Sequence, residues 1–233
     1  MTAILKREFM AYFRTPLGFV IISVMYLFTG YYFFTYNLYM NTTDTVGLFA
    51  TLFQVVLFIV PVLTMRLLSE DRRMKTDQVL LTSPVSRFSI VVSKYLAALC
   101  VYILAISGTI LMALVLEYFS QVDWPVVFGN FSGLLLLGAA LIAICLFISS
   151  LTENQLIAAV GGFAASLFLI LLDAMQHVAR SSTLKAFFRY ISWNDRYRGF
   201  TIGLAGFKDI VFFISITAFF VCLTEVVLER RRW

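Results

Sequence analysis

Apolar residues along this chain fall in long unbroken runs. Five runs carry no charge: Leu17 to Tyr36, Val46 to Met65, Tyr95 to Leu116, Val126 to Leu151 and Leu156 to Leu172. A sixth, Ile210 to Leu228, is interrupted only by Glu225. An α-helix needs about 20 apolar residues to cross a hydrocarbon core, and it satisfies its own backbone where water is absent. The pattern predicts an all-α integral membrane protein, a single transmembrane domain over 1–233. Its six transmembrane helices are expected at about 17–36, 46–65, 95–116, 126–151, 156–172 and 210–228. Pro61 should kink the second span and free a carbonyl for its neighbours.

The polar segments between the runs set the topology. Residues 1–16 place Ile4, Leu5, Phe9, Tyr12 and Phe13 against Lys6, Arg7 and Arg14, which predicts an amphipathic helix on the inner membrane surface. No cleavable signal peptide is expected there. If the N-terminus is cytoplasmic, the inside segments hold Lys6, Arg7 and Arg14, then six basic residues between Arg66 and Lys94, then Arg230, Arg231 and Arg232. That is twelve of the eighteen basic residues. The positive-inside rule therefore predicts a multi-pass protein of the inner membrane with both termini cytoplasmic, residues 66–94 as a cytoplasmic loop and 173–209 as an extracytoplasmic segment. The net charge of +5 is a topology signal, and no nucleic-acid partner is expected.

Within the central loop, Ser69 is placed to cap a helix whose first turn carries Glu70 and Asp71. Pro84 ends the helical stretch. Thr76, Val79, Leu80 and Ser83 share one face, giving a short amphipathic helix that offers either an apolar ridge to a cytosolic partner or a surface to lipid headgroups. The run Thr76-Asp77-Gln78-Val79-Leu80-Leu81-Thr82-Ser83-Pro84-Val85-Ser86, with Lys94 ten residues beyond the proline, resembles the signature of type-2 ABC transporter permeases. Ser150 to Gln155 and the ending from Leu223 to Trp233 are similar to that family too, and the nearest branch is the gliding-motility-associated group. Where that branch has glycine before the threonine, this chain has Lys75.

The resemblance implies a membrane subunit that forms the translocation pathway of an ATP-driven exporter as a dimer. Thr76, Asp77, Val79, Leu80, Ser83 and Pro84 would form the coupling helix toward a separate ATP-binding subunit, present in two copies with its ATP and Mg. Glu153 and Asn154 would add a smaller contact. The gliding-type likeness suggests an auxiliary membrane protein with a large extracytoplasmic domain. In the family, short helices where 173–209 lies form a gate-like layer; an anchoring segment is the alternative. Ala158, Gly162 and Ser166 form a small-residue ridge at four-residue spacing, suited to close packing inside the subunit or against a second permease subunit. The resemblance favours the second.

Little other chemistry is offered. Gly133 and Gly138 have the first spacing of a phosphate-binding loop, but Ala139 and Ala140 follow where Lys and Ser/Thr are required, so no ATP site is expected on this chain. His177 has no neighbouring ligand at metal spacing, and Cys100, Cys145 and Cys222 sit in three different spans as packing residues. The aromatic crowd from Tyr31 to Tyr39 reads as an interfacial belt, or as a stacking surface for substrate. Glu225 is the one ionisable residue inside a span, placed to snorkel and pair near its cytoplasmic end. This scarcity weighs against the rival reading, a self-contained channel or secondary carrier.

Overall fold

The computed structural model describes residues 2–75, 86–119, 121–178, 182–201 and 206–230. Its elements are α1 (Thr2–Arg14), α2 (Pro16–Phe33, continued by a π-helical turn, Phe34–Leu38), α3 (Val46–Thr64), α4 (Ser69–Arg73), α5 (Arg87–Ile106), α6 (Gly108–Phe119), α7 (Trp124–Leu151), α8 (Gln155–Val178), α9 (Ser182–Ile191), α10 (Trp193–Thr201) and α11 (Phe207–Arg230). Six stretches are long and apolar enough to cross a membrane: Pro16–Leu38, Val46–Arg73, Arg87–Phe119, Trp124–Leu151, Gln155–Gln176 and Phe207–Glu229.

Helix starts follow local chemistry. Proline occupies the first turns of α2 and α7, where its missing N–H costs nothing. Ser86 caps α5 by accepting from Ser89 N at 3.3 Å. Hydroxyls inside the spans donate back to carbonyls of their own helix: Thr51 to Gly47, Thr64 to Val60, Thr217 to Phe213 and Thr224 to Phe220. That satisfies them without a partner helix.

α7 is the centre of the bundle, packed against α3, α5, α8, α10 and α11. Its most apolar window is 67% buried, against 17% for α11. A helix apolar all round is suited to that place. Close approach depends on missing side chains. A Cβ at Gly138 would lie 2.2 Å from the Tyr102 ring, and Tyr102 donates its hydroxyl to Leu134 O at 2.7 Å, joining α5 to α7. Phe200 similarly occupies the space above Gly133, so α10 is tucked into the bundle with Trp193, Tyr197 and Phe200 buried. Burial pushes the Tyr197 phenol well up, and its hydroxyl donates to Phe49 O at 3.4 Å.

Four readings change. The third apolar run begins its helix at Arg87 and is broken at Ser107, where Tyr26 of α2 inserts. The Tyr26 hydroxyl meets Leu104 O at 3.2 Å and Ser107 Oγ at 2.9 Å, and Gly108 leaves room for the ring. Of the aromatic crowd, Tyr31, Phe34 and Tyr39 face outward, but Phe33 is buried and Tyr36 packs on Gly47. Between α8 and α11 the 173–209 segment carries two short helices, α9 and α10, and α10 is packed into the bundle rather than lying along its surface. Finally, the Ala158/Gly162/Ser166 ridge is buried within the subunit. A Cβ on Gly162 would stand 2.9 Å from Pro61 Cβ and 3.3 Å from Cys145 Sγ, so at Gly162 the ridge serves the fit of α8 against α3 and α7 of its own chain.

Gly162→Leu should therefore act on folding. Overpacking costs about 1–3 kcal/mol, and the purified subunit should unfold at a lower temperature by circular dichroism. An unchanged unfolding temperature would show that this face has room to spare.

Candidate functional site

Among the described residues, the larger cluster of ion pairs lies at the end of the bundle carrying the starts of α1 and α5 and the finish of α11. α4 is its hub. Glu70 and Asp71 occupy the first turn and Arg72 and Arg73 the last, matching the helix dipole at both ends. The cap differs from the sequence expectation. Ser69 lies inside the first turn and donates its hydroxyl back to Met65 O, while Ser149 of α7 accepts from Ser69 N at 3.1 Å and Leu68 N at 3.3 Å. A side chain from another helix thus satisfies the free donors of α4.

Arginines extend the hub in two directions. Arg66 pairs through Nε and Nη2 with both oxygens of Glu70, at 2.7 and 2.9 Å, and reaches Thr15 Oγ1 at 2.9 Å between α1 and α2. Arg72 donates to Ser150 O at 3.3 Å and Glu153 Oε1 at 3.1 Å, so a cation sits at the carbonyl end of α7. Asn154 accepts from Leu156 N at 2.9 Å and caps the start of α8. Glu153 and Asn154 thereby lie beside α4 at this end, Glu153 with 67% of its side chain exposed. Arg87 closes the far side of the cluster with Glu229 of α11 at 2.8 Å.

Lys94 is the tightest point. Its side chain is 1% exposed, and its ammonium lies 3.1 Å from Glu8 Oε2 and 2.6 Å from Asp71 Oδ2. One cation therefore ties α1, α4 and α5 together. Tyr12 of α1 donates to Leu63 O of α3 at 2.8 Å; burial first, then the nearby Glu8 charge, push its phenol well up. α1 is thus docked on the bundle by specific bonds as well as by its apolar face. The partners of Lys94 were missed in sequence, though a signal existed: Glu8 is the one acid among the first sixteen residues, opposite a lone lysine in an apolar run.

Thr76, Asp77, Val79, Leu80, Ser83 and Pro84 lie outside the described residues. The structure does fix what leads into them. α4 stops at Arg73, and Lys75 takes a left-handed φ of 56°. The helical stretch expected from Ser69 onward is accordingly interrupted, at the position where the resembling branch carries glycine.

Removing the cation leaves two carboxylates facing each other in a poorly hydrated site. Lys94→Met is expected to destabilise the subunit by about 3 kcal/mol. Adding Glu8→Gln and Asp71→Asn should restore most of the loss, read as unfolding temperature in detergent. No rescue would mean that packing of the lysine stem, rather than its charge, holds the three helices.

A comparison with protein-family models matches residues 29–193 to the family described as ABC-2 family transporter protein. A search of curated proteins returned no match. The matched span covers more than two thirds of the chain, from within α2 to the first residue of α10, and takes in α4, the start of α5 and the turn between α7 and α8. The chain therefore belongs to the ABC-2 transporter family, as a multi-pass permease component of an ABC transporter that carries no ATPase site of its own.

Proposed function

We propose that two copies of this permease enclose an export pathway in the inner membrane and are driven by two copies of a separate ATP-binding subunit, which holds ATP and Mg. The segment from Thr76 to Pro84 docks into that ATPase as a coupling helix, Leu80 filling an apolar cleft and Asp77 meeting a basic residue. Glu153 and Asn154 give a smaller contact alongside. Both termini are cytoplasmic. Within the family the chain falls in the gliding-motility-associated branch, with an auxiliary membrane protein bearing an extracytoplasmic domain as a further partner.

The observation that carries this reading is the ion cluster on the two stems of the 76–85 segment. Asp71 on the entering stem and Lys94 on the leaving one are joined to each other and, through Glu8, to α1. Arg72 joins the entering stem to the finish of α7. A force applied between the stems is thus delivered to α1, α5 and α7 together. Such a force moves the membrane helices only if the docked segment binds two arrangements of them with different affinity.

Interface anchors can exceed about 2 kcal/mol, while exposed ion pairs contribute about 0–1 kcal/mol. Leu80→Ala should therefore loosen the complex more than Asp77→Asn, and both should lower substrate-stimulated ATP hydrolysis with membrane insertion intact. Co-purification of the ATPase and hydrolysis in nanodiscs measure this; parental behaviour in both variants would reduce the segment to a headgroup anchor. Topology is tested separately. Single cysteines at Asn41 and at Lys75, in a chain lacking Cys100, Cys145 and Cys222, should label from opposite sides of intact cells, and labelling of both from outside would reject this orientation.

A further inference from the structure

At the end of the bundle away from the ion cluster, α9, α10 and the first turn of α11 line a shallow cavity that is open over most of its surface. Three cations line it, Arg189, Arg196 and Lys208, with two carboxylates, Asp195 and Asp209.

The charges are not equivalent. Arg196 donates to Asp209 Oδ1 at 2.9 Å and to Tyr190 O at 3.1 and 2.8 Å, and its guanidinium lies 4.0 Å from the centre of the Phe212 ring. It therefore braces α9 against α11 and neutralises Asp209 in place. Asp195 is 3.9 Å from Arg189, beyond hydrogen-bond reach, and the Arg189 side chain is 77% exposed. Among the described residues no carboxylate lies within ion-pair distance of Lys208. Two cations are thus left facing the cavity, one loosely paired and one unpaired, beside the positive end of the α11 dipole.

The rim has the opposite character. Tyr190 and Phe207 are 74% and 79% exposed, next to a helix that starts a membrane-crossing stretch. Exposed rings beside these cations, at the start of a membrane-crossing stretch, match a ligand with a charged head and an apolar tail.

We infer that this cavity binds the phosphate head of an anionic amphiphile, with Arg189 and Lys208 on the phosphate and the tail against Tyr190 and Phe207. The inference needs a bilayer around the bundle but not the ATPase coupling proposed above, so the two can fail independently.

The test uses the purified full chain in nanodiscs of neutral lipid doped with phosphatidylglycerol carrying a diazirine in its acyl chain, with cross-links mapped by peptide mass spectrometry. Labelling should fall on α9 and the first turns of α11, and Arg189→Gln combined with Lys208→Gln should reduce it at least tenfold, with an unchanged circular dichroism spectrum. Lys6→Gln, on α1, should leave it unaltered. Diacylglycerol with the same diazirine tail, which lacks the phosphate, should label these helices at a tenth of the level or less. Tenfold excess inorganic phosphate should leave the lipid label in place. Equal labelling by diacylglycerol or in the double variant would overturn the site, and displacement by inorganic phosphate would overturn its preference for an amphiphile.

Discussion

A lysine ammonium at 1% exposure cannot persist without its counter-charges, and the rest of this end of the molecule is arranged around that constraint. Desolvating the charge costs several kcal/mol, and the two carboxylates repay it only while they stay within about 3 Å. Glu8 and Asp71 come from different helices, so the position of α5 fixes those of α1 and α4. Ser149 and Arg72 then fix α4 to α7, one at each end of the short helix. The result is a frame in which an α4 of only five residues is bonded to α5 and α7 and, through Lys94, to α1.

The membrane interior is held differently. Neighbouring helices gain no hydrophobic free energy over lipid there, so contact must come from fit. One kind of fit recurs: a large ring or proline ring seated on a glycine. Tyr26 sits on Gly108, Tyr102 on Gly138, Phe200 on Gly133 and Pro61 on Gly162. Both tyrosines also place a hydroxyl on a carbonyl of the facing helix, so that fit and backbone satisfaction coincide. At the opposite end, Arg196 repeats the logic of Lys94 in milder form, one cation bridging a carboxylate, a carbonyl and an aromatic face.

How much of this is legible in the sequence depends on the range of the interaction. Run length reveals the six spans, since crossing a bilayer is a local property of each helix. The run from Val126 to Leu151 is apolar all round and could be read as central on the same ground. The break at Ser107 is not readable, because it depends on a tyrosine from α2. The ridge of Ala158, Gly162 and Ser166 reveals a close-packing face but not which helix meets it; small residues say the same in either case. Ser69 looks like a cap because serine before two acids usually is one, whereas the actual cap is Ser149, eighty residues away. Lys94 and Glu8 are each visible as an odd residue in its segment, yet nothing local pairs them.

Lys75 shows how a local departure and a tertiary frame meet. A non-glycine residue at a φ of 56° carries a cost of order 1 kcal/mol, and it persists where surrounding bonds over-determine it. Here they do: Met74 N reaches Glu70 O at 2.9 Å and Lys75 N reaches Arg72 O at 3.1 Å, closing the end of a helix already held by Ser149 and Arg72. α4 is thereby finished off as part of the bundle before the segment beginning at Thr76. Any load carried from that segment into the membrane helices on this side must pass through the turn at Met74 and Lys75. Under the proposed coupling, the stiffness of that turn governs what reaches α4 and α7, while α5, which follows the segment directly, passes load to α1 through Lys94 and Glu8.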